Sequence, residues 1–254
     1  LVVKDGFEQT IGNLTGSNSN SVISTQGTLT VTQGNAGTYG GKIFGGSGTF
    51  IKAGSAALTI SVRHNYRGEV QINAGMLTIG ANTGFHNTVT LANVSGAILN
   101  LNGNTVHARS LNGGGASGGN VTLGSGKLST GSLSSTYGGV ISGSGSLEIK
   151  GYKHLTLTGQ STYSGGTTII SGAILIGVNN ALPTTGAVSF TGTKNYAQLV
   201  VKDGFEQTIG NLTGSNSNSI IKTVGTLTVT QGNAGTYAGK IFGHTGTFIK
   251  AGSA

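Results

Sequence analysis

Two short clusters of basic and aromatic residues are the parts of this sequence best suited to binding a ligand. They are Arg63-His64-Asn65-Tyr66-Arg67 and Lys150-Gly151-Tyr152-Lys153-His154. Each combines cations, an aromatic face and polar donors, a set that can bind a sulfated or acidic glycan or an acidic patch on a receptor. The alternative, which the sequence favours, is solvated charge on loops that protrude from a largely uncharged protein. The candidate ligand contacts are Arg63, His64, Tyr66, Arg67, Lys150, Tyr152, Lys153 and His154.

The acidic residues give little support to hydrolytic chemistry. Glycoside cleavage needs two converging carboxylates, and a calcium-dependent reaction needs oxygen ligands beside a basic group. Only Asp5 and Glu8 are close in sequence, around an apparent turn next to Lys4. A solvated turn is the better interpretation, so no catalytic residue is predicted. Asp203 and Glu206 are the copies of this pair, and the other acids, Glu69 and Glu148, are dispersed.

No cofactor or metal site is predicted. The chain has no cysteine, and its histidines have no metal-ligand spacing to a second ligand, so each is interpreted as a surface or turn residue. They are His64, His86, His107, His154 and His244. The segment Gly124-Ser125-Gly126-Lys127-Leu128 is similar to a nucleotide-binding loop but lacks the preceding spacing and the Ser or Thr that binds magnesium. Its glycines are explained by turns between strands.

The elements that must position these residues are short β-strands. Glycine contributes 48 of 254 residues without a G-X-Y triplet, which excludes collagen. Apolar residues alternate with polar ones in short runs that disordered linkers lack, for example Thr28-Leu29-Thr30-Val31 and Leu58-Thr59-Ile60-Ser61-Val62. Turn-forming residues bound these runs. The sequence therefore predicts an all-β fold.

The charge of the chain bears on its partners. The formal net charge is +8, from 14 basic and six acidic residues spread along the sequence. Dispersed positive charge favours weak association with anionic surfaces, whether glycans, lipid headgroups or nucleic acid. No motif that reads a nucleic-acid groove accompanies it, so no specific nucleic-acid partner is expected.

Repetition organises the chain at two scales. Residues 1–56 recur as residues 199–254, which defines a 198-residue block (1–198) whose second copy begins at residue 199. Inside the block, Tyr66-Arg67-Gly68 matches Tyr163-Ser164-Gly165, 97 residues later, and similar matches define an older sub-repeat of about 97–101 residues. A fixed period is typical of a solenoid or fibre. We expect residues 1–254 to form a single continuous repeat segment of a longer tandem array.

The few differences between the two copies follow strand parity. The six pairs are Val22/Ile220, Ser24/Lys222, Gln26/Val224, Gly40/Ala238, Gly46/His244 and Ser47/Thr245. Alternate residues of a strand face opposite sides, and burying the unpaired ammonium of Lys222 is costly. We therefore expect positions 22, 24 and 26 in solvent, Ile23 and Ile221 in the core, and positions 46 and 47 in a turn.

One long stretch resembles a known family. Residues 139–150, followed by residues 155–169 with their Thr162-Tyr163-Ser164-Gly165-Gly166-Thr167-Thr168 core, closely resemble the autotransporter passenger-associated β-strand repeat. Residues 58–80 resemble a degenerate copy. The resemblance implies a right-handed parallel β-helix that is exported across a Gram-negative outer membrane. At roughly 20 residues per coil, the chain would form about 12 coils and a rod on the order of 55–60 Å long.

The resemblance and the repeats together predict a non-catalytic extracellular scaffold of a bacterial surface adhesin or fibre, which projects and binds surfaces or host multivalently. Expected partners are flanking repeats of the same longer chain or head-to-tail self-association, with a host glycan or receptor as a further candidate. The outer membrane would be reached only through a barrel outside this sequence, with the protein anchored there or secreted. The alternatives are a secreted effector that binds one host receptor through residues 58–111 and, less favoured, a polysaccharide-active enzyme.

Overall fold

The chain winds into a stack of coils built from short parallel strands. The computed structural model describes residues 1–192, 196–243 and 245–254. Every pairing between its strands is parallel, and paired residues lie from 19 positions apart, as Val70 and Val89 do, to 25 positions apart, as Gly172 and Ala197 do. The predicted fold class is confirmed, because the described residues form a parallel β-solenoid of about 12 turns. In the described ranges there is no helix long and apolar enough to cross a membrane.

The strands are mostly three to five residues long, and two of nine residues, β12 and β14, pair with each other across a shift of register between Phe85 and Thr88. In chain order they are β1 Val2–Val3, β2 Glu8–Ile11, β3 Val22–Thr25, β4 Thr28–Thr32, β5 Gly37–Tyr39, β6 Lys42–Phe44, β7 Thr49–Ala53, β8 Leu58–Ile60, β9 Asn65–Tyr66, β10 Glu69–Ile72, β11 Met76–Ile79, β12 Thr83–Leu91, β13 Ile98–Asn100, β14 Thr105–Gly113, β15 Asn120–Thr122, β16 Lys127–Thr130, β17 Ser135–Tyr137, β18 Ile141–Ser142, β19 Ser146–Ile149, β20 His154–Leu157, β21 Thr167–Ile169, β22 Gly172–Ile176, β23 Val188–Phe190, β24 Ala197–Val201, β25 Glu206–Ile209, β26 Leu212–Gly214, β27 Ile220–Thr223, β28 Thr226–Thr230, β29 Lys240–Gly243 and β30 Thr247–Ala251.

Inward-pointing apolar residues form rows that run along the stack. Leu29, Phe50, Val70, Val89 and Leu111 are in register on successive coils, and all five are buried. Strand alternation sends every second side chain inward, so each coil covers the apolar residues of its neighbour. Burying a side chain of this size contributes about 1.5–3 kcal/mol. A second buried row is Leu58, Leu77, Leu99, Val121 and Ile141.

A tyrosine followed two positions later by a glycine is a repeated structural motif of the coil. Tyr66 and Tyr137 are buried, and their hydroxyls donate to the carbonyls of Gly48 and Gly119 at 2.8 and 2.7 Å. A Cβ on Gly68 would meet both the Tyr66 ring and the Gly48 carbonyl. Only glycine fits there, so the recurrence of this pair along the sequence reflects packing between coils.

Strand parity in the structure agrees with the differences between the copies. Ile23 and Ile221 are buried, whereas Val22 and Lys222 are exposed. The bend at residues 46–47 is also exposed, as expected of a variable turn. The predicted core positions are therefore confirmed, and the predicted solvent positions are confirmed in part, since Ser24, Ile220 and Val224 are half-buried.

The two copies have nearly the same sequence but different neighbours. In the first copy β7 pairs with β10 of the next coil, whereas its counterpart β30 pairs only with β28 among the described strands. In the same way β6 of the first copy contacts β9 of the next coil, so Ile43 is 3% exposed, whereas its counterpart Ile241 in β29 is 43% exposed. At the other end of the chain the relation reverses, because Gln207 is buried and its counterpart Gln9 is exposed. Each copy therefore shows how the other would be covered by an adjoining coil.

Lys52 is buried and hydrogen-bonded by the coil that covers it. It is 0% exposed, and its Nζ donates to the carbonyls of Ala53 and Gly54 at 2.9 and 2.8 Å and to that of Ala74, one coil on, at 2.8 Å. Burial lowers the pKa of Lys52 to about 8, so the ammonium remains mostly charged at neutral pH. Its copy, Lys250, is exposed.

Replacing Lys52 by Met should lower the free energy of unfolding by roughly 2–5 kcal/mol, because the Gly54 and Ala74 carbonyls lose the ammonium as their donor. Lys250→Met alters the same local sequence at an exposed position and should change it by less than about 0.5 kcal/mol. Urea denaturation followed by far-ultraviolet circular dichroism measures both variants. Equal losses in the two variants would contradict this role for the covered ammonium.

Candidate functional site: a basic groove

A concave groove with basic side chains crosses four successive coils on one side of the stack. Apart from His64, its cationic or titratable side chains are Lys42, Arg63, Arg67, His86 and His107. They come from β6, from the two ends of β9, from β12 and from β14, and β9, β12 and β14 are stacked in parallel register. This basic groove has a volume of about 880 Å³, and its other lining residues are Phe44, His64, Asn82, Thr83, Gly84 and Thr105.

The sequence clusters contain only part of this groove. Arg63 and Arg67 belong to the first predicted cluster, but Lys42, His86 and His107 do not. The spacings from 42 to 63, 63 to 86 and 86 to 107 are 21, 23 and 21 residues, each one coil. The signal that could have found the groove is therefore the coil period, since residues one period apart become neighbours across the stack.

Thr83 fixes the segment that carries the two arginines. Its Oγ1 accepts a hydrogen bond from the His64 N–H at 3.0 Å and donates one to the His64 carbonyl at 2.9 Å. With the segment held in this way, alternation turns His64 and Tyr66 inward and leaves Arg63 and Arg67 exposed. The guanidinium groups therefore face solvent in the groove.

His64 is buried, which corrects its interpretation as a surface residue. It is 4% exposed, and its Nδ1 accepts a hydrogen bond from the Ile43 N–H at 3.1 Å. That bond places the ring proton on Nε2, which has no partner among the described residues. Burial lowers the pKa of His64 to about 4, so the ring is neutral at physiological pH. His64 therefore lies beneath the groove as a neutral ring and adds no positive charge to it.

Tyr66 is also buried, so its ring does not present a face to a ligand. It is 2% exposed, and burial, followed by the negative charge of Glu69, raises the pKa of its hydroxyl. The sequence held a signal for this outcome, because Tyr66 occupies the same repeat position as Tyr163, which is fully buried. A tyrosine that recurs at the same position of each repeat packs between coils. Of the first cluster, Arg63 and Arg67 remain available to a ligand.

Three residues of the second predicted cluster, Tyr152, Lys153 and His154, line a separate concavity of about 260 Å³, and Lys150 lies outside this lining. Tyr152 is 80% exposed, and Lys153 and His154 are exposed beside it. Parallel pairing through β22 brings Tyr196 and Gln198 into the same concavity from two coils further on. This small site combines two exposed tyrosine rings with a lysine, and the ligand contacts predicted there stay a prediction.

Positive charge continues from the basic groove toward the second cluster. The pKa of His107 is lowered by burial and then by the positive charges of His86, Lys150 and Arg109, while the charge of Glu148 opposes these effects. Lys150 therefore lies close enough to act on the groove although it belongs to the other cluster in sequence.

The carboxylates are hydrogen-bonded or dispersed. Glu148 accepts hydrogen bonds from Lys127 and Ser129, both at 2.9 Å, and these bonds lower its pKa although burial alone would raise it. Glu69 accepts a bond from Thr90 at 3.1 Å. The remaining acids lie on exposed turns and strand starts and are Asp5, Glu8, Asp203 and Glu206.

One other histidine departs from its predicted surface or turn position. His107 is half-buried within β14, whereas His86 lies within β12 but is exposed, as predicted. His154 is exposed at the start of β20, and His244 lies outside the described residues. Within the described part of the chain, no group of three His, Cys, Asp or Glu side chains could hold a metal ion.

The buried ring of His64 should make stability depend on pH. Its pKa is about 4 in the folded chain against the ordinary 6.5, so between these values the unfolded chain binds a proton that the folded chain does not. The contribution of His64 to the free energy of unfolding should be fully present above pH 6.5. It should fall by on the order of 3 kcal/mol as the pH decreases to 4. Thermal melts across this range, compared between the parent, His64→Gln and the exposed control His154→Gln, check it. The interpretation is wrong if the His64→Gln melts keep the full pH dependence.

Two comparisons with known proteins bear on the family of the chain. The family model described as passenger-associated transport repeat matches residues 50–79 and 153–176. The chain is 36% identical over 174 residues, 66% of its length, to the adhesin BmaC autotransporter of Brucella suis biovar 1 (strain 1330), and it spans 5% of that protein. No solved structure matches the chain. These similarities indicate a location outside the cell or at its surface. They confirm the predicted resemblance: the chain carries passenger-associated transport repeats of the autotransporter type.

Proposed function

We propose that this chain is part of a non-catalytic extracellular scaffold in a bacterial surface adhesin or fibre, which projects from the cell and binds surfaces or host molecules multivalently. The observation that carries the proposal is the continuous coil stack, in which residues 1–56 and 199–254 present nearly the same outward residues at two heights. Contacts that are weak singly add by avidity when one stiff array repeats them.

The dispersed carboxylates support a role without catalysis. Glu148 is bonded to Lys127 and Ser129, and Glu69 to Thr90, so neither is an unengaged general base. A polysaccharide-active enzyme is therefore the least supported of the candidate functions, since glycoside cleavage needs two carboxylates that face each other across the substrate.

Flanking repeats of the same longer chain are the first partners that we propose. Strand β7 is covered by β10. Its counterpart β30 has no such cover among the described strands, and Ile249 and Lys250 in it are exposed. In the neighbouring strand β29, Ile241 and Phe242 are also exposed. Open parallel edges with apolar side chains favour the addition of another strand. A coil with the sequence of residues 57–79 suits this face, because it already covers the nearly identical face of the first copy.

Head-to-tail association of a second chain is the alternative partner. The first coil exposes Val2 and Phe7, whereas the counterparts Val200 and Phe205 are half-buried beneath β22 and its neighbours. Two chains could therefore stack end to end through their terminal coils. The terminal coils differ in sequence, however, from the coils that cover the equivalent faces inside the chain.

Fusing a copy of residues 57–79 after Ala254 should slow amide hydrogen exchange in β30 by at least about tenfold, because the added coil supplies a hydrogen-bonded neighbour. A scrambled tail of the same composition is the control, and mass spectrometry of peptic peptides measures the exchange. Equal exchange in β30 with the native-sequence and scrambled tails would contradict the proposed junction.

The basic groove favours a second candidate function, a secreted effector that binds one host receptor. Most of its lining, including Arg63, Arg67, His86 and His107, lies in the part of the chain that occurs once in the 254 residues. A surface that is not repeated is the arrangement that a single receptor contact requires. The two candidates therefore differ in how far binding depends on this groove.

Replacing Arg63 and Arg67 by Ala in the full-length protein separates the two candidates. A single-receptor effector would lose essentially all cell binding, whereas the multivalent scaffold should lose less than about twofold, since its other repeats keep their contacts. Both side chains are exposed, so the fold should be retained. Lys4→Ala with Lys222→Ala, which removes the same charge at exposed positions outside the groove, is the control. Cell-binding measurements by flow cytometry give the result, and near-complete loss with the arginine variant alone contradicts the scaffold.

A further inference from the structure

We propose that the basic groove is a binding site for a stretch of acidic polysaccharide, carrying sulfate or carboxylate groups, that lies along the axis of the stack. The inference rests on the surface-binding role proposed above and names its ligand class.

The shape of the groove favours a linear ligand. Its lining comes from four successive coils, represented by Lys42, Arg63, His86 and His107. With about 4.8 Å between paired strands, three intervals give a length of about 14 Å along the axis. Cations therefore recur along the direction of the stack, as the charged groups of an extended polysaccharide do along its backbone.

The donors of the groove suit sulfate and carboxylate oxygens. Arg63 and Arg67 are exposed, and a guanidinium presents a planar fork of N–H groups that binds such anions through paired hydrogen bonds. Lys42 adds a third permanent positive charge. Asn82 and Thr105 supply further polar groups at the rim, as hydroxyl and ring oxygens of a sugar require. All the charged lining residues are basic.

Other polyanions fit this surface less well. Single-stranded nucleic acid is bound chiefly by a series of aromatic rings on which bases stack, and the lining contains one exposed ring of this kind, Phe44. A bilayer presents its headgroups as a broad flat surface, which does not enter a concave groove between coils. Among polyanions, the polysaccharide is therefore the class that this geometry favours.

The test is isothermal titration of residues 1–254 with two size-fractionated oligosaccharides, one from heparin and one from hyaluronan. The heparin fragment carries sulfates and carboxylates, and the hyaluronan fragment carries carboxylates only. We expect binding to at least one of them, weakening as sodium chloride is raised. Binding to both assigns carboxylate recognition, and binding to the heparin fragment alone assigns sulfate recognition.

The matched variants localise the binding. Arg63→Ala with Arg67→Ala should weaken it by about tenfold or more, because two charge-assisted contacts are lost. Lys4→Ala with Lys222→Ala removes equal charge at exposed positions outside the groove and should weaken it by less than about twofold. Circular dichroism melts verify that both double variants are folded.

Three results would overturn the proposal. They are binding of neither oligosaccharide, equal weakening by the two double variants, and tighter binding of single-stranded DNA or phosphatidylserine vesicles than of either oligosaccharide. Cell adhesion by the full-length protein despite any of these results would refute the ligand class and leave the scaffold role standing. Oligosaccharide binding without any cell adhesion would support the ligand class and refute the scaffold role.

Discussion

The stacking of one coil on the next is the interaction on which the whole structure depends. A single turn of about 20 residues cannot enclose its own apolar side chains, and Leu29 or Val70 is buried only because Phe50 lies between them in register. The same stacking satisfies the backbone of every covered strand. Stability in such an array belongs to the junctions between coils, and a coil without a neighbour keeps its sequence but loses much of its burial, as Ile241 does in comparison with Ile43.

Stacking also explains how a surface site arises from an unremarkable sequence. Lys42, Arg63, His86 and His107 are spaced 21–23 residues apart along the chain, and of the four only Arg63 belongs to a predicted basic cluster. The coil period places them side by side, so a groove of cations is assembled from single residues on separate turns. The residues of such a binding surface are spaced one coil period apart in the sequence and do not form a local motif.

The sequence predicted the core better than the site. Alternation of Leu, Ile and Val with Thr and Ser located the inner rows, and the exchange of Ser24 for Lys222 located an outer face. These features depend only on strand geometry, which is local. The burial of His64 depends on Ile43 and Thr83, residues about 20 positions away on either side, so a reading of the local cluster could not reveal it. The burial of Tyr66 could have been predicted, because the family match and the recurrence of a tyrosine at position 163 indicate a large ring that packs between coils.

The identical phase of the two copies also bears on how such a rod changes length over generations. The strands inside the two copies pair in the same register, as Val2 with Ser24 and Val200 with Lys222 show. An exchange between the copies at equivalent positions would therefore remove or add a 198-residue block and leave the strand pairs inside the copy intact. The number of coils could change in this way without a new strand pairing inside the copy.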